Sequence, residues 1–187
     1  AFASLFAVSA LAADGEECFT YDATLPETEI PPEDGVYGTF PAPLFDPSLG
    51  GLTCVQIETD TDFAGTVGVE NTNLTQGNTY SFLFTWHLEL LREDDSVLLE
   101  SSASRNVFGF LDPFDGTIDF GGFSGQSFNL TRADILGDVT STEAADLSWL
   151  TGVGTLDFPF HAWYDITLMG PGGEPLPTDL VIAASDV

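Results

Sequence analysis

The sequence predicts an all-β protein, an antiparallel β-sandwich of the jelly-roll or Ig-like type with about nine to eleven strands and one short helix. Long segments alternate apolar and polar side chains at every second residue, most clearly at residues 79–91 and 156–168. A period of two is typical of strands that are buried on one face. Glycine- and proline-rich segments separate these runs, and a helical pattern follows Ser141, at residues 142–147.

The remaining elements follow from the same alternation or from its interruption. Proline cannot donate a hydrogen bond to a strand ladder, so the proline-rich segment 26–47 is predicted to be a loop or a sheet edge. The charged residues 92–95 predict a hairpin turn. The other strands are predicted, in chain order, at residues 18–25, 52–59, 63–70, 97–101, 105–111, 117–120, 127–131 and 178–185.

The N-terminal segment is the part of the chain that needs a separate explanation. Residues 1–13, AFASLFAVSALAA, carry no charge and run directly into the acidic residues 14–17. They are too few to span a bilayer as a helix, and they would promote aggregation if they stayed in water. We therefore divide the chain into an apolar arm with an acidic hinge, residues 1–17, and a single β-sandwich domain, residues 18–187. The alternative is that the arm is a retained remnant of a secretory signal.

As a strand, the arm is apolar on both faces, as a strand inside a sandwich is. Fully extended, it spans about 43 Å at about 3.3 Å per residue, enough to reach out of its own domain and cross a neighbouring one. We expect its bulky apolar side chains to anchor it in another copy of the chain: Phe2, Leu5, Phe6, Val8 and Leu11.

The charge balance restricts the possible partners. Asp and Glu number 30 against 3 Lys and Arg, which gives a formal net charge of −27. Such a surface repels nucleic-acid phosphates and anionic lipids, so neither is an expected partner. Because salt screens the self-repulsion, the composition favours a halophilic protein that works outside the cell or on its surface.

The two cysteines, Cys18 and Cys54, fit an exported protein with one disulfide. The apolar alternation around each cysteine predicts that both thiols lie on outward strand faces. We therefore expect a bridge between neighbouring strands, which would contribute about 3 to 4 kcal/mol in the chain-entropy model.

The sequence offers few sites for cofactors or modification, and we expect no cofactor. Asp112, Asp115 and Asp119 lie in the segment LDPFDGTID, whose oxygen ligands suit calcium, although the spacing is not that of an EF-hand. An ordinary acidic turn is the alternative. Asn73 and Asn129 each begin an Asn-Leu-Thr sequence that fits N-glycosylation.

No catalytic motif appears in the sequence: there is no GxSxG, no HExxH and no glycine-rich phosphate loop. Carboxylate pairs of the kind that glycosidases use are abundant, but 30 acidic residues form such pairs by chance. We therefore expect no enzymatic activity. His87 and His161 lie within strand patterns and are expected to be structural or surface groups.

Three segments together resemble a known family. They are LFDPSLGGLTCVQIETD at residues 44–60, GTVGVENTN at residues 65–73, and EAADLSWLTGVGTLDFPFHA at residues 143–162. In order and spacing they are similar to the bacterial choice-of-anchor E domain, over roughly residues 18–187. The resemblance implies a secreted β-domain of the cell surface, and it implies no enzymatic activity.

Together these observations lead to two functional hypotheses. The first is a structural subunit of an extracellular filament or surface assembly, in which the arm completes the sheet of the next copy. A head-to-tail contact of this kind does not close, so it propagates into a homopolymer. The second is a monomeric cell-surface or matrix domain that binds calcium or carbohydrate.

Overall fold

The chain folds into two antiparallel sheets in this computed structural model. The structure describes the backbone of residues 3–12, 18–25, 30, 35–169 and 180–185. It describes side chains at residues 30, 35–131, 136–167, 180 and 182.

The first sheet, sheet A, is organised around a strand of 20 residues, β4 (Leu52–Asn71). Along one edge β4 pairs with β7 (Gly125–Ser141). The other edge is shared end to end by β1 (Ala3–Ala12) and β9 (Leu180–Ser185). Outside β1 lies β2 (Cys18–Leu25), which gives the strand order β2-β1-β4-β7.

The second sheet, sheet B, has the order β3-β8-β5-β6. Its strands are β3 (Val36–Pro43), β5 (Asn78–Leu91), β6 (Val97–Leu111) and β8 (Thr155–Met169). β3 lies within the proline-rich segment and forms an edge of the sheet, one of the two outcomes that the prolines predicted. An edge strand tolerates Pro41 and Pro43 because only one of its sides must pair.

The core lies between the two sheets, as the alternation predicts. In β5 every second residue is buried, and these are Tyr80, Phe82, Phe84, Trp86, Leu88 and Leu90. They pack in one cluster with residues of β4 and β8, including Val55, Ile57, Val67, Val69, Phe158 and Phe160. The all-β sandwich fold is therefore confirmed.

In two places, strands that the sequence predicted separately form one continuous strand. Residues 52–59 and 63–70 both belong to β4, which continues through a register shift between Thr61 and Phe63. A β-bulge of this kind accommodates an extra residue without ending the strand. Likewise 97–101 and 105–111 form one strand, β6, and 117–120 is not a strand. The described backbone forms nine strands, β1 to β9, and side chains are described in whole or in part for seven of them, β3 to β9.

The segment between β6 and β7, residues 112–124, folds back over the outer face of sheet A. Val67 and Val69 point to the core, so Gly68 and Glu70 lie on the opposite face of β4. Phe120 packs on Gly68, where a Cβ would come within 2.6 Å of the phenyl ring. The N–H of Phe120 donates to Glu70 Oε2 at 2.8 Å, which ties the segment to the sheet.

The short helix predicted after Ser141 is present as α1 (Ala144–Trp149). Its N-cap is Glu143, and Ser141 Oγ accepts the N–H of Glu143 at 3.2 Å. Among the residues that the structure describes, no helix has the length and apolar character that crossing a membrane requires.

Candidate functional site

The N-terminal strand β1 occupies an internal position in sheet A. It pairs with β4 from Ala3 opposite Asp62 to Ala12 opposite Leu52, and with β2 from Ser4 opposite Leu25 to Leu11 opposite Cys18. The strand therefore lies in a slot with a partner on each side. We call the space between β2 and β4 the β1 slot.

The inner wall of the slot is defined by the burial pattern of β4. The buried side chains alternate along its first half, and they are Val55, Ile57, Thr59, Thr61 and Phe63. Phe6 lies opposite Thr59 and Val8 opposite Ile57, so these two positions fall on the row that faces the core. Leu5, opposite Asp60, falls on the outer row.

The outer face beside the slot is strongly acidic. Glu58 of β4 lies directly opposite Asp138 of β7, which places like charges side by side across the ladder. Both residues, with Asp60, line a shallow depression of about 480 Å³ between β4 and β7. The repulsion among these carboxylates is expected to fall as salt screens it.

The location of the arm corrects one expectation from the sequence. The arm was expected to reach out of its own domain, but β1 pairs within its own chain. Of the five predicted anchors, Leu5, Phe6, Val8 and Leu11 take the register positions of β1. Phe2 and the predicted hinge, residues 14–17, lie outside the described residues.

The predicted bridge between Cys18 and Cys54 is not formed in this structure, and Cys54 is a free cysteine. Leu11 lies opposite Cys18 on one side and opposite Cys54 on the other, so β1 separates the two cysteines. Strands with a third strand between them are about 9.5 Å apart, twice the spacing of neighbours. A disulfide requires Cα atoms within about 7 Å, so the disulfide prediction is wrong while β1 fills the slot.

The three acidic residues predicted for calcium all lie in the segment 112–124. Asp115 Oδ1 accepts the N–H of Thr117 at 3.0 Å, and Asp119 Oδ1 accepts the N–H of Gly121 at 2.9 Å. Asp112 contributes main-chain bonds, because its carbonyl accepts from Asn71. Within the described part of the chain, no three His, Cys, Asp or Glu side chains form a metal-binding group.

The two predicted glycosylation sites differ in their surroundings. Asn73 is half-buried, and its Oδ1 accepts the main-chain N–H groups of Thr75 and Gln76 at 3.0 Å each. Asn129 is exposed on β7, and its Oδ1 accepts from Thr66 at 3.4 Å. Modification of either residue stays a prediction.

The alternation of the sequence gave no sign of an aromatic stack on the outer face of sheet B. Its rings, in order, belong to Tyr37, His161, Trp163 and His87, with centroids 3.9, 4.4 and 4.6 Å apart. A carboxylate lies near each histidine: Glu89 Oε2 is 3.6 Å from His161 Nδ1, and Asp165 Oδ2 is 3.1 Å from His87 Nε2. The stack joins β3, β8 and β5 on the face opposite the core, so both histidines serve the structure of the sheet.

Comparison with known proteins adds no relative: no family model matches the chain, and no curated protein matches it. The resemblance to the choice-of-anchor E domain therefore stays a prediction.

Proposed function

We propose that this protein is a structural subunit of an extracellular filament or surface assembly, in which the arm of one copy fills the β1 slot of the next. One observation supports this most directly. The strand nearest the N-terminus does not lie at a sheet edge but between β2 and β4. Its removal would open the middle of sheet A, and an identical segment from another copy would restore the same pairing.

The exchange follows from the geometry of a single chain. In the closed form, β1 fills its own slot, as in this structure. In the assembled form, β1 of one copy enters the slot of a second, whose own arm enters a third. Exchange of an identical element keeps every contact inside the slot, so it costs little free energy in itself. Because donor and acceptor are different parts of the surface, the contact is head-to-tail and does not close.

The slot supplies both affinity and register. An inserted strand forms ladders with β2 and with β4, so main-chain hydrogen bonds contribute on both sides. Register is specified because a slip by one residue would bring Leu5 onto the core-facing row and move Phe6 off it. We expect Phe6 to be the main anchor, since burial of a phenylalanine contributes roughly 1.5 to 3 kcal/mol.

The first test is deletion of residues 1–13. We expect the shortened protein to stay folded but to lose the ability to polymerise, as measured by negative-stain microscopy and sedimentation in molar NaCl. The free peptide of residues 1–13 should bind this monomer and raise its melting temperature by filling the slot. Filaments of unchanged diameter and pitch from the shortened protein would contradict the proposal.

A matched pair of substitutions tests the register. Phe6→Asn places a polar group on the core-facing row opposite Thr59, where an unpaired amide is costly, so assembly should be weakened severely. Leu5→Asn makes a similar change on the outer row opposite exposed Asp60 and should assemble nearly as the unmodified protein does. Equal effects of the two substitutions would exclude this slot as the assembly site. A full-length protein that stays monomeric at every salt concentration would favour the monomeric surface domain instead.

A further inference from the structure

Glu70 carries a buried carboxylate, and only one of its two oxygen atoms has a hydrogen-bond partner among the described residues. Its residue exposure is 0%, although it lies on the face of β4 that is opposite the core. Oε2 accepts the N–H of Phe120 at 2.8 Å. Oε1 is buried and has no hydrogen-bond partner among the described residues. A buried carboxylate oxygen without a hydrogen-bond partner costs free energy, so we expect another group to compensate its negative charge.

The segment 112–124 seals this carboxylate from solvent. Phe120 adopts a left-handed backbone conformation, with φ of 53°, which brings its N–H to Glu70. A Cβ on Gly125 would collide with Glu70 Oε2 and would lie 2.5 Å from the main-chain nitrogen and 2.7 Å from the carbonyl oxygen of Gly121. The carboxylate and the Gly121 carbonyl therefore border the same small volume, which only a residue without a side chain leaves open.

The cationic side chains that the structure describes do not compensate the negative charge of Glu70. Arg92 binds Asp146, and Arg105 donates to the carbonyl of Asn129. The oxygen atom that borders the Glu70 carboxylate beneath this segment is the main-chain carbonyl of Gly121. Elsewhere in the segment, Asp115 Oδ2 lies 2.8 Å from the Cβ position of Gly122.

Carboxylate and carbonyl oxygens are the ligands of hard cations. We propose that Glu70 binds a hard, oxygen-seeking metal cation beneath the segment 112–124, with main-chain carbonyl oxygens of that segment as further ligands. The site differs from the calcium site predicted from Asp112, Asp115 and Asp119, because its central ligand is Glu70, and main-chain carbonyls rather than three clustered acidic side chains complete it. A single carboxylate is balanced by a monovalent ion such as Na⁺, whereas Ca²⁺ would require a second carboxylate, and Asp115 of the same segment is the residue that we test for this role. The bound ion would hold the segment on sheet A.

The test separates specific binding from general screening. Melting temperatures of the full chain are measured at one ionic strength in choline chloride, in NaCl, and in choline chloride with millimolar CaCl₂. We expect either Na⁺ or Ca²⁺ to raise the melting temperature by about 5 to 10 °C above choline at a concentration far above its dissociation constant. The increase should be lost in Glu70→Gln, which is neutral and nearly isosteric. It should persist in Glu100→Gln, which removes an exposed carboxylate.

The variant Asp115→Asn distinguishes the two cations. If Na⁺ gives the effect, Asp115→Asn should retain it, and if Ca²⁺ does, Asp115→Asn should lose most of it. The proposal is overturned if Glu70→Gln responds to each cation as the unmodified protein does. It is also overturned if the melting temperature of the unmodified protein is the same in all three salts.

Discussion

Arg92 and Asp146 form the best-defined ion pair in the described part of the chain. Arg92 Nε and Nη2 bind the two carboxylate oxygens of Asp146 at 2.6 and 3.1 Å, and Ser141 Oγ adds a bond of 2.6 Å. The Asp146 side chain is only 3% exposed. These bonds hold the hairpin after β5 against α1, so one buried carboxylate joins two distant parts of the sequence.

Loss of this carboxylate should be among the more damaging single changes. Asp146→Asn leaves a partly buried guanidinium without its counter-ion, so it should cost about 1 to 3 kcal/mol, less than the loss of one partner of a fully buried pair. Urea denaturation at neutral pH and constant NaCl concentration measures the difference. Asp157→Asn, which removes an exposed carboxylate on β8, is the control and should change stability little.

The Arg92–Asp146 pair also predicts how the stability of the fold depends on pH. Hydrogen bonds from Arg92, and secondarily from Ser141, lower the pKa of Asp146 below its ordinary value of 3.8. The pair's contribution should therefore be complete above about pH 5 and should be lost as the pH falls through the folded-state pKa. Asp146→Asn should show a smaller loss of stability than the unmodified protein over this acidic range. Parallel curves for the two proteins would show that the pair does not titrate as described.

At the scale of the elements, β4 has more pairing partners than any other strand that the structure describes. It pairs with β7 along one edge and with β1 and β9 along the other. The first half of its edge depends on β1, which belongs to the arm. The slot that we propose for assembly therefore opens onto the central strand of sheet A, and a change in its occupancy should affect the whole sheet.

Because β1 lies between the strands that carry Cys18 and Cys54, the structure predicts the state of the two thiols. While the slot is filled, both thiols should be free, because the strands that carry them are not neighbours. Intact-mass measurement after alkylation under native and then denaturing conditions, on protein isolated without reductant, should find two modified cysteines. The same measurement on the protein without residues 1–13 provides the comparison, because this protein lacks the strand between β2 and β4. A disulfide in the full-length protein would show that β1 does not lie between these strands.

At the scale of the whole molecule, the dominant property is the formal net charge of −27. Repulsion among exposed carboxylates extends about 30 Å at 0.01 M salt but only about 3 Å at 1 M. The acidic depression beside the β1 slot concentrates this repulsion where β4 and β7 pair.

The melting temperature should therefore fall as NaCl is reduced from molar to low millimolar concentrations. Choline chloride should restore most of the loss, since screening does not depend on the identity of the cation. Glu58→Gln should raise stability at low salt by a few tenths of a kcal/mol and have little effect at 1 M, because it relieves the repulsion from Asp138. Melting curves that do not change with salt would contradict the halophilic interpretation.

The sequence by itself determined the fold class and the faces of the strands. Alternation along β5 depends only on the period of two, which is local, so Tyr80 through Leu90 could be assigned to the core without any partner. The position of α1 after Ser141 was also predicted locally. The proline content of β3 predicted a loop or an edge for the same reason.

The tertiary structure alone decided which strands are neighbours. Nothing in residues 1–13 specifies β2 and β4 as partners, because ladder hydrogen bonds come from the main chain and are the same for every sequence. That pairing placed β1 between Cys18 and Cys54, put the arm in its own sheet and defined the slot. The tertiary structure also buried Glu70 beneath the segment 112–124. In the sequence, Glu70 is only one of 30 acidic residues.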